Sequence, residues 1–339
     1  MSSLIVEVAT IDQINPHTNA DSLELAIIKG WQCVVPKGKY VAGDRVVYVP
    51  VDSLMPPEVH EPMGITKYLS NGRVRCAKLR GEPSFGVVMP LADATWETGR
   101  DVAAHYGITK YTPPTKLSAG DAASEDAAFC KYTDIENLRN FHRLIADGEE
   151  VVCTEKIHGT NCRVGIVRGE WMAGSRELRR QTTSTPVSNI YWYPTTLPEV
   201  RAMLESLVGT ARSVVLYGEV YGSKIQNLSY GKVGVMGFSA FDLMIDGVYV
   251  DSDAFYDICD RHGVHYAPVL YRGPFSIEAV RGVSGGNSVV GGGHIREGVV
   301  VRPTKERTDP KVGRVILKYL NDDYLLQKES GRVSDTCDV

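Results

Sequence analysis

A proline- and alanine-rich stretch, PPTKLSAGDAASEDAA at positions 113–128, divides the chain into two parts with different hydrophobic patterns. It holds few large apolar side chains, so it reads as a linker rather than a piece of core. Before it, LIVEVATI, LELAIIKGWQCVV, DRVVYVPV and FGVVMPL are β-branched runs punctuated by Pro, Gly, Asn and Asp. Several such strands within about 110 residues predict a small OB-like β-barrel. TGRDVAAHYGITKY predicts a short helix closing that barrel.

The second part mixes periods. EVVCTEKIHGTNCRVGIV, EWMAGS, SVVLYGEVYG, VGVMGFSAFDLMI, GVYVD, EGVVVRP and RVILKYL read as strands. PEVRAMLESLVG and DSDAFYDICDRHG read as helices between them. In DIENLRNFHRLIADG, Ile135, Leu138, Phe141 and Leu144 recur at helical spacing, with Asp134 as the expected N-cap. Mixed strands and helices predict an α+β domain. SGGNSVVGGGH is Gly-rich and predicts a mobile loop.

Composition excludes several classes. No apolar run reaches the roughly 20 residues that span a bilayer, and MSSLIVEVAT lacks the pattern of a secretory signal. Seven cysteines, scattered and never spaced CxxC, indicate free thiols in a reducing, intracellular and cytoplasmic setting rather than a structural zinc. The net charge of −4 argues against nucleic-acid binding by bulk charge. Local basic clusters remain, at Arg73, Arg75, Lys78 and Arg80, at Arg176, Arg179 and Arg180, and from Lys305 to Lys318. Each reads as readily as a solvated face. GxxxxGK[ST] and GxSxG are both missing, and His262 with His265 reads as a surface pair.

The sharpest local signal is Glu155-Lys156-Ile157-His158-Gly159-Thr160-Asn161. A lysine at the end of an apolar strand, just before a Gly-containing turn, is held close to backbone that a nucleotide can approach. A lysine in that position is by itself most often a surface charge. As a nucleophile it must be neutral, and with a pKa of about 10.4 this costs roughly 4 kcal/mol or more at neutral pH. Nearby cations or a metal must supply the correction.

EKIHGTN resembles the nucleotidyl-transfer motif of the phage RNA ligase 2 and editing-ligase group, within the covalent nucleotidyltransferase superfamily of DNA ligases, RNA ligases and capping enzymes. That superfamily has Lys-x-Asp-Gly here; His158 in place of the aspartate is the RNA-ligase form. The other motifs follow in order. Gly174-Ser175-Arg176 resembles the second, Leu216-Tyr217-Gly218-Glu219 the third and Phe238-Ser239-Ala240-Phe241-Asp242 the Phe-x-x-Phe-Asp motif. Glu297-Gly298-Val299-Val300-Val301 resembles the fourth, and Val315-Ile316-Leu317-Lys318 stands where Lys-x-Lys is usual. Ile316 departs from that basic pair, and Arg314 is a candidate for the missing charge. The amino-terminal part, INPHTNADSLELAIIKGWQCVVPKGKYVAGDRVVYVPVDSLMP, looks like the OB-type tRNA-binding modules of phenylalanyl-tRNA synthetase. An OB unit ahead of the transferase is similar to the RNA ligases typified by the Deinococcus and Naegleria enzymes.

The resemblance implies an OB-like RNA-binding domain at 1–112, the linker at 113–128 and an adenylyltransferase domain of ATP-grasp-like ligase type at 129–339. It implies an ATP-dependent RNA ligase with AMP carried on Lys156 and Mg²⁺ or Mn²⁺ on Glu219 and Glu297. Arg176 and Lys318 would clamp phosphate, Asn161 would position it, Phe238 would stack on adenine and Glu155 would orient the base. The partner would be RNA with 3′-hydroxyl and 5′-phosphate ends, in a nicked duplex, handled by a monomer away from membranes. An mRNA-capping-type guanylyltransferase and a non-catalytic RNA-binding protein are the alternatives. The first is opposed by HGTN and by the short segment after Lys318, the second by the retained Lys156, Glu219 and Glu297.

Overall fold

The computed structural model describes residues 4–112, 121–186, 189–223 and 225–329. These form two compact units, 4–112 with 325–329 and 121–324. No helix among them is long and apolar enough to cross a membrane. The first half of the expected linker, 113–120, lies outside the described residues. Positions 121–128 belong to the second unit, where Arg163 donates to Glu125 over 3.0 Å and Arg180 to Asp121 over 2.5 Å.

The first unit comprises β1 (Glu7–Thr10), β2 (Gln13–Pro16), β3 (Leu23–Ile28), β4 (Trp31–Pro36), β5 (Arg45–Pro50), β6 (Ser53–Leu54), α1 (Pro57–His60), β7 (Ala77–Leu79), β8 (Glu82–Ser84), β9 (Gly86–Met89) and β10 (Thr109–Lys110). Its sheets run β1-β5-β9 and β2-β3-β4, with small pairs β7-β8 and β10-β6. LELAIIKGWQCVV is a hairpin rather than one strand: Lys29 and Gly30 both take positive φ, the backbone a tight hairpin turn requires. In β4, buried Trp31, Cys33 and Val35 alternate with half-buried Gln32 and Val34, the period of a strand with one face on the core. The expected helix in TGRDVAAHYGITKY does not form. The segment turns instead, and the Trp96, His105 and Tyr106 rings pack edge to face. Tertiary packing there outweighs local propensity.

The second unit comprises β11 (Glu136–Asn137), α2 (Leu138–Phe141), β12 (Glu150–Glu155), β13 (Thr160–Val167), β14 (Glu170–Ser175), β15 (Arg179–Arg180), α3 (Pro198–Val208), β16 (Ser213–Tyr221), β17 (Gly237–Ile245), β18 (Val248–Tyr249), α4 (Ser252–His262), β19 (Val269–Pro274), α5 (Ile277–Ser284), β20 (Gly298–Pro303), β21 (Thr308–Asp309), β22 (Gly313–Arg314) and β23 (Leu317–Leu320). A further helix, α6, spans Asp322–Glu329. Two sheets dominate, ordered β11-β23-β20-β12-β19 and β15-β14-β13-β16-β17-β18. Helices α3 and α4 cover one face of the second sheet through Val200, Met203, Leu204 and Phe255. Its other face carries Val215, Tyr217 and Met244, which cluster with Tyr132 and with Ile316 and Val300 of the first sheet's side. The expected helix from Asp134 shrinks to α2 and one 3₁₀ turn, because Glu136 and Asn137 pair with β23 instead. The cap is Asn137, whose side chain accepts from the Arg139 N–H.

Candidate active site

The turn after β12 is built by hydrogen bonds from every side. The Lys156 N–H donates to the Gly298 carbonyl over 3.0 Å, the His158 N–H to the Tyr230 hydroxyl over 2.8 Å and the Gly159 N–H to Glu219 Oε1 over 3.1 Å. Gln226 closes it by donating to the Gly159 carbonyl. A Cβ at Gly159 would lie 2.3 Å from the Val220 oxygen, so only glycine lets the turn approach β16 this closely.

That turn presents Lys156 Nζ 2.8 Å from Glu297 Oε1. The two come from adjoining strands of one sheet, β12 and the start of β20. Glu219 comes from the other sheet, so both sheets contribute to one charged cluster. Burial pushes the Glu219 carboxyl up to about 8; Lys156 opposes this and Glu297 reinforces it. Asn161 stands opposite Glu219 in the β13–β16 register, so the two side chains share a face. Asn161 Oδ1 and Glu297 Oε2 are buried with no hydrogen-bond partner among the described residues. Glu155 is 1% exposed. Its Oε2 accepts from the Val289 N–H, while Oε1 has no such partner. This contact anchors the Gly-rich segment expected to be mobile, and Arg296 holds it further by donating to the Val283, Gly285 and Asn287 carbonyls.

Phe238 lies elsewhere. In the β16–β17 register it opposes Val220, the neighbour of Glu219, and so points to the opposite face from Glu219. It is 6% exposed, packed in the core beneath α3 and α4. A Cβ at Gly218 would sit 2.3 Å from its ring. Phe241, three positions further along β17, falls on the other face by strand alternation, 4.9 Å from the Tyr132 ring. The aromatic on the Glu219 face is therefore Phe241, whereas Phe238, expected to stack on the purine, faces the core beneath α3 and α4.

Arg176 follows β14 and is bonded to Asp134, with Glu177 3.5 Å away. Thus Asp134 is an arginine partner rather than a helix cap. Lys318 opposes Val300 on β20, on the face turned to the Tyr132 and Tyr217 cluster. Arg314 does not supply the charge missing at Ile316. It is buried and donates to Asp242 and Glu306, while Ile316 fills the core. Asp242 itself accepts from Tyr132 over 2.8 Å and from Arg302 over 3.0 Å. Burial would raise its carboxyl, but Arg302 and Arg314 outweigh that and hold it below the usual range.

Sequence reasoning missed Tyr230, Tyr324, Gln226 and Arg296. Tyr324 Oη lies 3.0 Å from His158 Nδ1, and His158 Nδ1 lies 3.8 Å from Glu297 Oε2. None of these four lies in a motif, and only their chain-distant partners reveal them.

Among the described residues no group of three or more His, Cys, Asp or Glu side chains could hold a metal ion. The donor set nevertheless suits a hard cation that keeps most of its waters and takes one or two carboxylates. Glu219 and Glu297 offer such oxygens, and one of them has no hydrogen-bond donor.

Known proteins supply an independent comparison. A family model described as RNA ligase matches residues 149–320. An OB-fold domain model matches residues 5–91. No curated protein matches the chain by sequence. Among solved structures, an RNA ligase of Naegleria gruberi with PPi has a TM-score of 0.75 at 25% identity, covering 97% of this chain and 99% of that one. A variant of that ligase with ATP and Mn has a TM-score of 0.76 at 25% identity, covering 96% and 99%. An apo variant gives 0.76 at 24% identity, covering 96% and 98%.

Proposed function

Because the chain belongs to the RNA ligase family, we propose that it is an ATP-dependent RNA ligase in which Lys156 carries AMP and seals 3′-hydroxyl to 5′-phosphate ends. One observation carries the reading: the Lys156 amine sits on Glu297, at the rigid turn that Glu219 braces from the opposite sheet. A lone surface lysine would need neither carboxylate. Solved relatives bound to ATP and Mn, and to PPi, fit the same chemistry.

In the first step the neutral Lys156 amine attacks the α-phosphorus of ATP. A P–N bond forms, the α–β phosphoanhydride breaks, and pyrophosphate leaves. AMP then passes to an RNA 5′-phosphate, and Lys156 recovers its amine. Finally a 3′-hydroxyl attacks the activated phosphate and releases AMP. Glu297 holds the Lys156 ammonium in place and takes its proton before attack, leaving the neutral amine. Glu155 keeps one unpaired oxygen for an amino group on the base. Phe241 offers the ring on the cleft side, and Asn161 offers its carbonyl oxygen beside Glu219. Arg176 and Lys318 are the proposed phosphate clamps. For Arg176 this requires exchange of Asp134 for phosphate, an exchange of one anion for another. A divalent cation on Glu219 and Glu297, Mg²⁺ or Mn²⁺, supplies positive charge that lowers the amine's proton affinity and offsets the phosphates. A nick in duplex RNA is the proposed substrate.

Intact mass after incubation with ATP or GTP and Mg²⁺ or Mn²⁺ tests this. Wild type should gain one AMP, roughly 329 Da for a lysine phosphoramidate, and Lys156→Ala should gain nothing. A GMP adduct would turn the reading to capping, and no adduct with any nucleotide or metal would leave a binding protein.

A further inference from the structure

The first unit contains a feature the sealing chemistry does not use. A cavity of about 360 Å³ opens between the β4, β8 and β9 strands and the 62–79 segment. Its walls are mainly aliphatic, with Val34, Met63, Leu69, Val74 and Val88 among them. The charged residues lining it are Lys39 and Arg75, and its lining includes no carboxylate. In a chain of net charge −4 this is a biased sample. Tyr68 also lines the cavity, and it is 48% exposed, unusually open for a large aromatic. Lys67 stands 5.0 Å from the Tyr68 ring centre.

The wall nearest Arg75 continues into the β7–β8 hairpin. Strand alternation divides that hairpin's first strand in two: Ala77 and Leu79 line the cavity, whereas Lys78 is exposed. Arg80 at the turn is exposed too. The hairpin's acidic residue, Glu82, is engaged by Thr18 and Gln32. Apolar walls, an open aromatic at the rim and a row of cations beside it are what a single nucleic-acid strand requires. Its bases have π faces to bury, and its phosphates need counter-charge. An apolar protein segment would find the walls but has no use for the cations. A duplex presents no unstacked base to fill the cavity.

We propose that this cavity is a base-accepting subsite for an unpaired RNA nucleotide, with the base beside Tyr68 and the flanking phosphates on Arg75, Lys39 and Lys78. It rests on the RNA-ligase reading for its ligand class, but it belongs to a different unit from Lys156. The subsite lets the protein grip a single-stranded end or gap through the base itself, without selecting its identity.

The test uses the full chain and two fluorescent RNA hexamers, one with all its bases and one abasic at a central nucleotide, in fluorescence anisotropy at fixed salt. Wild type should bind the intact hexamer about tenfold tighter than the abasic one. Tyr68→Ala and the cavity-filling Ala77→Phe should erase that ratio, binding both hexamers alike. Lys78→Gln should weaken both equally and keep the ratio. Undiminished discrimination in Tyr68→Ala and Ala77→Phe, or no discrimination in wild type, overturns the proposal. Circular dichroism identifies a variant that fails to fold, and the other then decides. The AMP adduct on wild-type Lys156 is followed in parallel. An adduct without base discrimination defeats the subsite alone, whereas discrimination without an adduct defeats the ligase reading alone.

Discussion

Glu219 and Asp242 are acidic residues on adjacent strands of one sheet, yet their surroundings treat them in opposite ways. Asp242 is fully buried, and both of its oxygens are occupied by Tyr132, Arg302 and Arg314. Its charge is favoured, and the carboxyl is held low. Glu219 receives one backbone N–H, from Gly159, and shares Lys156 with a second carboxylate. Its charge is disfavoured, and the carboxyl is pushed up to about 8. A site that serves only the fold can satisfy every group. A site that must receive phosphates and a cation has to leave groups unsatisfied until they arrive.

The largest effect belongs to the satisfied side. Asp242→Asn removes the buried carboxylate shared by Arg302 and Arg314 and leaves both with Glu306, 3.7 Å from Arg302 and 2.5 Å from Arg314. Stability should fall by about 3–5 kcal/mol in chemical denaturation. The sign with pH follows from the lowered pKa. The Asp242 contribution is present above the usual value near 3.8 and disappears as pH falls through the lower folded value. Wild type should therefore lose stability below about pH 4 along a steeper acid limb than Asp242→Asn. Equal slopes would mean the network is carried by other groups.

The two phenylalanines of β17 sharpen the same contrast. Phe238→Ala should cost about 3–5 kcal/mol of stability, because it opens a void in the core against Gly218. Phe241→Ala should cost less stability and raise the KM for ATP about tenfold, as expected for loss of a stacking ring. A reversed pattern, with KM following Phe238, would restore the assignment made from the motif alone.

That pair also marks where the sequence stops being legible. The order of motifs identifies the family, and EKIHGTN places the lysine at a strand end beside a glycine turn. Alternation alone puts these two phenylalanines on opposite faces, but only the pairing with β16 shows which face carries Glu219. Arg314 misleads for a related reason. A basic residue near a motif looks available until its buried partners, Asp242 and Glu306, are known. Asp134 has the position of a helix cap, but three-dimensional proximity gives it to Arg176. Local patterns survive where strands alternate regularly, and fail where a residue's partner is distant in the chain.

Glu219→Gln should act with the opposite sign to Asp242→Asn. A carboxyl raised from 4.5 to about 8 binds more protons folded than unfolded across that interval, so its presence lowers stability as pH rises through it. Without nucleotide or metal, Glu219→Gln should be more stable than wild type by about 1–2 kcal/mol at pH 9, after allowance for partial solvent access. Near pH 4 the two should melt together. Sealing activity should be lost even so, and thermal melts at the two pH values supply the comparison. A variant less stable than wild type at pH 9 would show that Glu219 is structural, as Asp242 is.

Tyr324→Phe is expected to have the smallest effect and is the most exacting of these tests. The hydroxyl reaches His158 Nδ1 across 3.0 Å, both groups are buried, and the ring is otherwise retained in phenylalanine. Loss of one such bond costs about 0.5–1.5 kcal/mol of stability. A second consequence comes from geometry. His158 Nδ1 is only 3.8 Å from Glu297 Oε2, and Glu297 is the carboxylate that holds Lys156. Released from Tyr324, a protonated Nδ1 can turn to Glu297 and draw it from the amine. Single-turnover AMP attachment should then slow severalfold with little change in ATP affinity. Adding His158→Asn should leave no further dependence on residue 324. An unchanged rate in Tyr324→Phe would confine this tyrosine to packing, and it would place the boundary between the satisfied and unsatisfied regions at His158 itself.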